Sequence, residues 1–191
     1  MNGEISMILY ETRRLYVRNF VQDDWNDLYD YLSDREVVAF EPYEPLTKEE
    51  CKKASRDRAM GNQFYAVCLK ENDKLIGNLY VNLNSEEYNT WEIGYVFNRT
   101  YQKKGYASES TKEMLAYLFR ERNARRIIAM CDPRNEPSWR LLEWIGMKRE
   151  AHFRKEVFFK KDENNQPIWK DTYIYAILKE DIYEGYQKTG F

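Results

Sequence analysis

A change of period in the middle of the chain limits the fold more than any other feature of the sequence. Residues 64–70, 74–83 and 90–97 follow the two-residue period of half-buried strands, and the first two are joined by the polar turn Asn72-Asp73. Consecutive strands on short turns imply an antiparallel meander. Helical spacing flanks it on both sides. On the N-terminal side, a first strand at Leu15-Tyr16-Val17-Arg18 follows a basic pair. Trp25, Leu28, Tyr29 and Leu32 then recur at helical spacing behind Asp23, the expected N-cap. Ser33 and Glu36 have capping-box spacing and predict a second short helix through Val37, Val38, Ala39 and Phe40, broken by Pro42 and Pro45. Thr47 and Glu50 repeat that signal and open a helix to about Met60.

After the meander, Ala107, Met114, Leu115, Leu118 and Phe119 share one helical face, with Arg120 and Arg122 at the negative end of the helix dipole. A strand over residues 126–131 follows. Asn135-Glu136-Pro137-Ser138 then starts a helix that runs through Trp139, Leu142 and Ile145 to a C-cap glycine, Gly146. Two late strands, near residues 151–159 and 168–178, read as a closing hairpin around a polar turn. This order predicts an α+β fold, with a mixed, mostly antiparallel sheet of about seven strands flanked by four or more helices. No repeat, low-complexity tract or linker divides it, so the expectation is a single domain over residues 1–191. A chain of 191 residues buries roughly 70% of its unfolded surface and needs no staple.

Composition removes several classes of function. Thirty basic against 32 acidic side chains give a net charge of −2, which argues against broad nucleic-acid binding. Arg120, Arg122, Arg125 and Arg126 make only a local patch. The single histidine, His152, leaves no histidine-rich zinc site and reads as structural; no metal is expected. Cys51, Cys68 and Cys131 lack CxxC spacing and read as small buried hydrophobes in a reducing, cytoplasmic compartment. No run of about 18 uncharged apolar residues is present to span a bilayer.

The segment richest in chemistry joins Trp91 to Ala107. A strand enters the loop Gln102-Lys103-Lys104-Gly105-Tyr106-Ala107, and the loop opens a helix. Unpaired N–H groups at a helix start, with the dipole behind them, form an anion site. Gly105 lets the backbone approach a phosphate, Ala107 and Ser108 keep the first turn small, and Lys103 and Lys104 add positive charge. The spacing is neither the dinucleotide fingerprint nor the P-loop. An ordinary connector with a solvated lysine pair is the plain alternative.

The flanking sequence separates these readings. Residues 102–107 resemble the Q/R-x-x-G-x-G/A signature of the GNAT N-acetyltransferases, with Ala107 where many members have glycine. Trp91-Glu92-Ile93-Gly94-Tyr95-Val96-Phe97 looks like that family's fourth strand. Asn135-x-x-Ser138-x-x-Leu141-Leu142-Glu143-x-x-Gly146-Met147 and Asp171-x-x-x-Tyr175-x-x-Leu178 resemble its RimJ/RimL-type branch. The resemblance spans roughly residues 13–181 in the family's element order. It implies direct transfer of an acetyl group from acetyl-CoA, as cosubstrate, to a primary amine, either a protein N-terminus or a small molecule. It also implies a slot splayed open between the fourth and fifth strands (residues 90–97 and 126–131). The CoA pyrophosphate would sit on Gln102, Lys103, Lys104, Gly105, Tyr106 and Ala107, and the pantetheine arm would pair with the backbone of Tyr95, Val96 and Phe97.

Catalytic roles follow from the chemistry and the resemblance together. An amine must be neutral to attack a thioester, so something must take its proton. Alternation places Glu92, Gly94 and Val96 on one face, and the missing side chain at Gly94 leaves a recess beside Glu92. Glu92 is thus a candidate base, with a cross-strand ion pair as its other reading. An amide of Val96 or Phe97 is the expected oxyanion donor. By resemblance Ser138 assists the departing thiolate, although a first-turn serine also satisfies backbone donors. Asn135 lies near the cofactor arm in the family and also reads as the N-cap of its helix. The acidic loop of Glu41, Pro42, Tyr43 and Glu44 would suit a cationic amine, since the equivalent region borders the acceptor site in relatives; a solvated loop is the favoured reading. A GNAT-like module that binds CoA without transferring anything is the second reading. The acceptor's identity and the oligomeric state stay open, a homodimer being one option.

Overall fold

The computed structural model of the chain describes residues 7–181. Its strands are Ile8–Glu11 (β1), Leu15–Asn19 (β2), Phe64–Leu69 (β3), Leu75–Ser85 (β4), Thr90–Phe97 (β5), Arg126–Cys131 (β6), Lys148–Lys161 (β7) and Pro167–Leu178 (β8). Its helices are Trp25–Leu32 (α1), Lys48–Met60 (α2), Tyr106–Glu121 (α3) and Glu136–Trp144 (α4), with 3-10 turns at Gln22–Asp24 and Arg99–Tyr101. The eight strands hydrogen-bond in the order β1-β2-β3-β4-β5-β6-β8-β7. By their contacts the described residues fall into two compact units: those up to Val81 with Gly94–Glu113, and Asn82–Ile93 with those from Met114 on.

In the first unit β1, β2, β3 and β4 run antiparallel, with Val17 opposite Val67 and Phe64 opposite Tyr80. Alternation along β3 sends Ala66 and Cys68 to one face, where they pack with Leu28, Tyr31 and Leu32 of α1, Cys51 of α2 and Val96 of β5. Full burial of each large apolar side chain there is worth about 1.5–3 kcal/mol. The capping box of α2 forms as expected: Glu50 N–H donates to Thr47 Oγ1 at 3.3 Å, and Thr47 N–H donates to Glu50 Oε2 at 2.8 Å. Gly77 is fixed by space, since a Cβ there would stand 2.5 Å from the Phe97 ring and 2.7 Å from the Val96 carbonyl oxygen.

In the second unit β6 lies between two partners. It pairs parallel with β5 from Thr90↔Arg126 to Glu92↔Ile128, and antiparallel with β8 from Arg126↔Leu178 to Cys131↔Tyr173. The β5 ladder ends at Glu92↔Ile128, while the β8 ladder continues along the rest of β6. Asn135 caps α4, Gly146 ends it at φ +96°, and buried Tyr175 donates its hydroxyl to Glu143 at 2.8 Å.

Three expectations need correction. There are eight strands where about seven were expected, because Ile8-Leu9-Tyr10-Glu11 becomes a strand by pairing with β2. The short helix expected near Val37–Phe40 is instead a series of turns. Ser33 Oγ donates back to the Tyr29 carbonyl at 2.6 Å rather than capping forward, and Asp34 accepts the Glu36 N–H. Asp23 does not cap α1. The chain first makes a 3-10 turn, and Asp24 turns back to accept from Arg18 at 2.7 and 2.8 Å and from Val21 N–H at 2.8 Å.

Candidate active site

The loop after β5 is built by local hydrogen bonds and two left-handed residues. Asn98 Oδ1 accepts the Thr100 N–H at 2.9 Å, and Gln102 Nε2 donates to the Phe97 carbonyl at 3.0 Å, so the Gln102 side chain ties the loop to the end of β5. Lys103 (φ +59°) and Gly105 (φ +81°) then turn the chain into α3. The first bond into the helix is Glu109 N–H to the Gly105 carbonyl at 2.9 Å. The backbone N–H groups from Lys103 to Ser108 meet no acceptor among the described residues. Unpaired N–H groups and the positive end of a helix dipole are the general requirements of an anion site.

Arg14 belongs to this loop, although the sequence marked it only as half of a basic pair. Its Nη1 donates to the Lys104 carbonyl at 2.9 Å, its Nε to Glu109 Oε2 at 2.7 Å, and its guanidinium lies 4.3 Å from the Tyr106 ring centroid. Burial alone would raise the pKa of Glu109; hydrogen bonds from Thr12 and Arg14 outweigh it and hold the carboxyl below its ordinary value. A Cβ on Gly105 would sit 3.3 Å from Arg14 Nη2. Lys103 and Lys104 are exposed, with Lys104 Nζ 5.4 Å from the Tyr101 ring centroid.

On β5, Val96 and Phe97 are buried and Tyr95 is half-buried. Val96 points into the α1/α2 core. Glu92 is half-buried, and burial raises its pKa. Its carboxylate has no ion pair or hydrogen bond among the described residues, so the cross-strand pairing alternative is not realised there. A Cβ on Gly94 would meet Tyr80 at 3.6 Å, an ordinary contact, so the glycine leaves room that a side chain could have filled.

The start of α4 is arranged differently. Asn135 Oδ1 and the Asn135 carbonyl both accept the Ser138 N–H, at 3.4 and 3.0 Å. Ser138 hydrogen-bonds the Cys131 thiol; burial, then Asp132, pushes that thiol up to about 11 despite the serine. Cys51 and Cys68 are buried as expected, whereas Cys131 is half-buried. His152 lies 2.8 Å from Asp171 and edge-on to Tyr173, lining an open hollow of about 300 Å³ with Arg149, Glu150, Ala151 and Tyr173; no residue expected to act on substrate lies in it. Among the described residues no group of three or more His, Cys, Asp or Glu could hold a metal, and no helix is long and apolar enough to cross a membrane. The structure thus places residues 95–97 and 102–107 in the first unit with Arg14, and Glu92, Asn135 and Ser138 in the second.

Comparison with known proteins agrees with this geometry. Residues 14–148 match the family model of the acetyltransferase (GNAT) domain. The chain is 40% identical over 171 residues to the uncharacterized N-acetyltransferase YnaD of Bacillus subtilis (strain 168), covering 89% of this chain and 96% of YnaD. It superposes on the crystal structure of a GNAT-family acetyltransferase from Bacillus anthracis with a TM-score of 0.82 and 38% identity, covering 91% of this chain and 99% of that one. RimL, a ribosomal L7/L12 alpha-N-protein acetyltransferase, shares the fold at a TM-score of 0.79 over 93% of this chain and 97% of its own, with 16% identity. An anion-ready helix start, a half-buried unpaired carboxylate and a matching domain model lead to one assignment: the chain belongs to the GNAT acetyltransferase family and is an acetyltransferase.

Proposed function

We propose that the protein transfers an acetyl group from acetyl-CoA to a primary amine, a peptide N-terminus or a small-molecule amine, by direct attack in a ternary complex. The observation that carries this reading is the run of unpaired N–H groups from Lys103 to Ser108 at the start of α3. A pyrophosphate supplies the acceptors those donors lack, and Gly105 leaves its close approach unobstructed. Gln102 and Arg14 hold the loop in that shape, and Lys103, Lys104, Tyr106 and Ala107 complete it. The backbone of Tyr95, Val96 and Phe97 receives the pantetheine arm, and an amide of Val96 or Phe97 faces the developing oxyanion.

Glu92 takes the proton that the attacking amine must lose. Its unpaired, half-buried carboxylate has a raised pKa, which brings it closer to what base catalysis near neutral pH needs. The amine nitrogen forms the new bond to the carbonyl carbon, the carbon–sulfur bond breaks, and the thiolate leaves with a proton as CoA. Ser138 hydrogen-bonds that sulfur, and Asn135 holds the first turn of α4 around Ser138. The three free cysteines fit a reducing compartment, so we place the reaction in the cytoplasm. A thiol-release assay with acetyl-CoA and a panel of amines and peptide N-termini tests the reading. Release with at least one amine supports it, and no release with any overturns it.

A further inference from the structure

Arg58, in the last turn of α2, is half-buried, and no ion pair holds it among the described residues. Its guanidinium lies 4.3 Å from the Phe64 ring centroid and 5.3 Å from that of Phe20. Nη1 donates to Asn78 Oδ1 at 3.1 Å, the same oxygen accepts the Tyr31 hydroxyl at 2.8 Å, and the guanidinium also hydrogen-bonds that hydroxyl. Asn78 and Tyr31 are buried, at 2% and 0% exposure, so these contacts fix the guanidinium from below. In the same unit Arg14, Arg18 and Arg99 each pair with a carboxylate: Glu109, Asp24, and Asp34 with Glu36. Arg58 has none among the described residues. A planar guanidinium held between rings, with donors unspent, is preorganised for two-point capture of a carboxylate.

Its position points to the acceptor. Phe64 packs at a tilt of 49° against Tyr80, its partner across β3 and β4, with 5.2 Å between centroids. Tyr80 in turn lies 3.6 Å from where a Cβ on Gly94 would stand, on β5 of the same unit. Tyr43, from the acidic loop expected to border the acceptor, packs against the same core and lies within electrostatic reach of Arg58; Glu41 hydrogen-bonds its hydroxyl. We propose that Arg58 receives a carboxylate of the acceptor. The amine substrate is then an amino-carboxylate, either a free amino acid or a peptide N-terminus with an acidic side chain, and not a polycation. This rests on the acetyl-transfer reading above.

The test compares kcat/KM for thiol release within matched pairs. One pair is L-phenylalanine against 2-phenylethylamine; the other is the peptide amide Asp-Ala against Asn-Ala. The expected result is a preference of about 10-fold or more for the carboxylate member of at least one pair, and that pair identifies the carboxylate's source. In Arg58→Met, which keeps the apolar stem between the rings, the preference falls to about one through a higher KM; Arg58→Lys retains part of it. Equal rates within both pairs for the wild-type protein overturn the proposal without any variant, as does a preference that survives Arg58→Met. Those results leave acetyl transfer standing. No release with any amine defeats the transfer reading and takes this proposal with it.

Discussion

The helices α3 and α4 each follow a strand through a loop, and their first turns are finished in opposite ways. At α4 the Asn135 side chain and carbonyl take the Ser138 N–H, Pro137 has no N–H to satisfy, and Ser138 bonds Cys131. At α3 the left-handed Lys103 and Gly105 turn the chain, and the N–H groups up to Ser108 stay unspent. A helix that closes its own end is complete as structure. One that leaves its donors open, while Arg14 and Gln102 hold the loop that presents them, carries a cost that a ligand removes. The incoming strands differ in the same sense, since Glu92 on β5 is an unpaired carboxylate and Cys131 on β6 is a thiol engaged by Ser138.

The strongest challenge to this contrast is Glu92→Gln. It should lower kcat by about 10²–10⁴-fold in the thiol-release assay, with the KM for acetyl-CoA little changed. The wild-type rate should rise with pH through the raised pKa of Glu92, and the variant should lose that limb. Stability should move the other way. A carboxyl whose folded pKa is raised contributes stability that is full below its unfolded pKa and lost as pH rises through the folded one. Glu92→Gln should therefore melt above the wild type at neutral pH, with the gain disappearing in acid.

Gly105→Val comes next. It forces a β-branched residue to φ +81°, with a Cβ 3.3 Å from Arg14 Nη2. Calorimetry should show CoA affinity falling by about 100-fold, the equivalent of about 2.7 kcal/mol. Asn135→Ala acts on the closed helix start instead. It should cost about 1 kcal/mol of stability in urea denaturation and change CoA affinity far less than Gly105→Val does. Ser138→Ala acts on the same turn of α4. Removing the hydroxyl that lowers the Cys131 pKa should slow thiol alkylation at Cys131 and reduce kcat by about 10-fold.

What could be read from the sequence is what short-range chemistry fixes. The Thr47/Glu50 box, the Asn135 cap, the Gly146 terminus and the meander all depend on neighbours a few residues away. Gly105 was legible for the same reason. The failures have long-range or competing causes. β1 is four residues whose conformation comes from pairing with β2. Ser33 had two targets for its hydroxyl and took the Tyr29 carbonyl behind it. Arg14 reaches a loop 90 residues away, and Arg58 meets Asn78 20 residues on, so no local pattern announces either. Of the candidate site, the sequence offers the loop and Glu92 as candidates, while Arg14, which braces the loop, carries no local signal.

The central claim is that the open start of α3 grips the pyrophosphate of CoA. Titration calorimetry comparing CoA with pantetheine, which lacks the pyrophosphate and nucleotide, tests it most directly. CoA should bind with measurable heat, and pantetheine should bind at least about 100-fold more weakly, because the donors from Lys103 to Ser108 then find no anion. Equal affinity for the two compounds, or no binding of CoA at all, would contradict it.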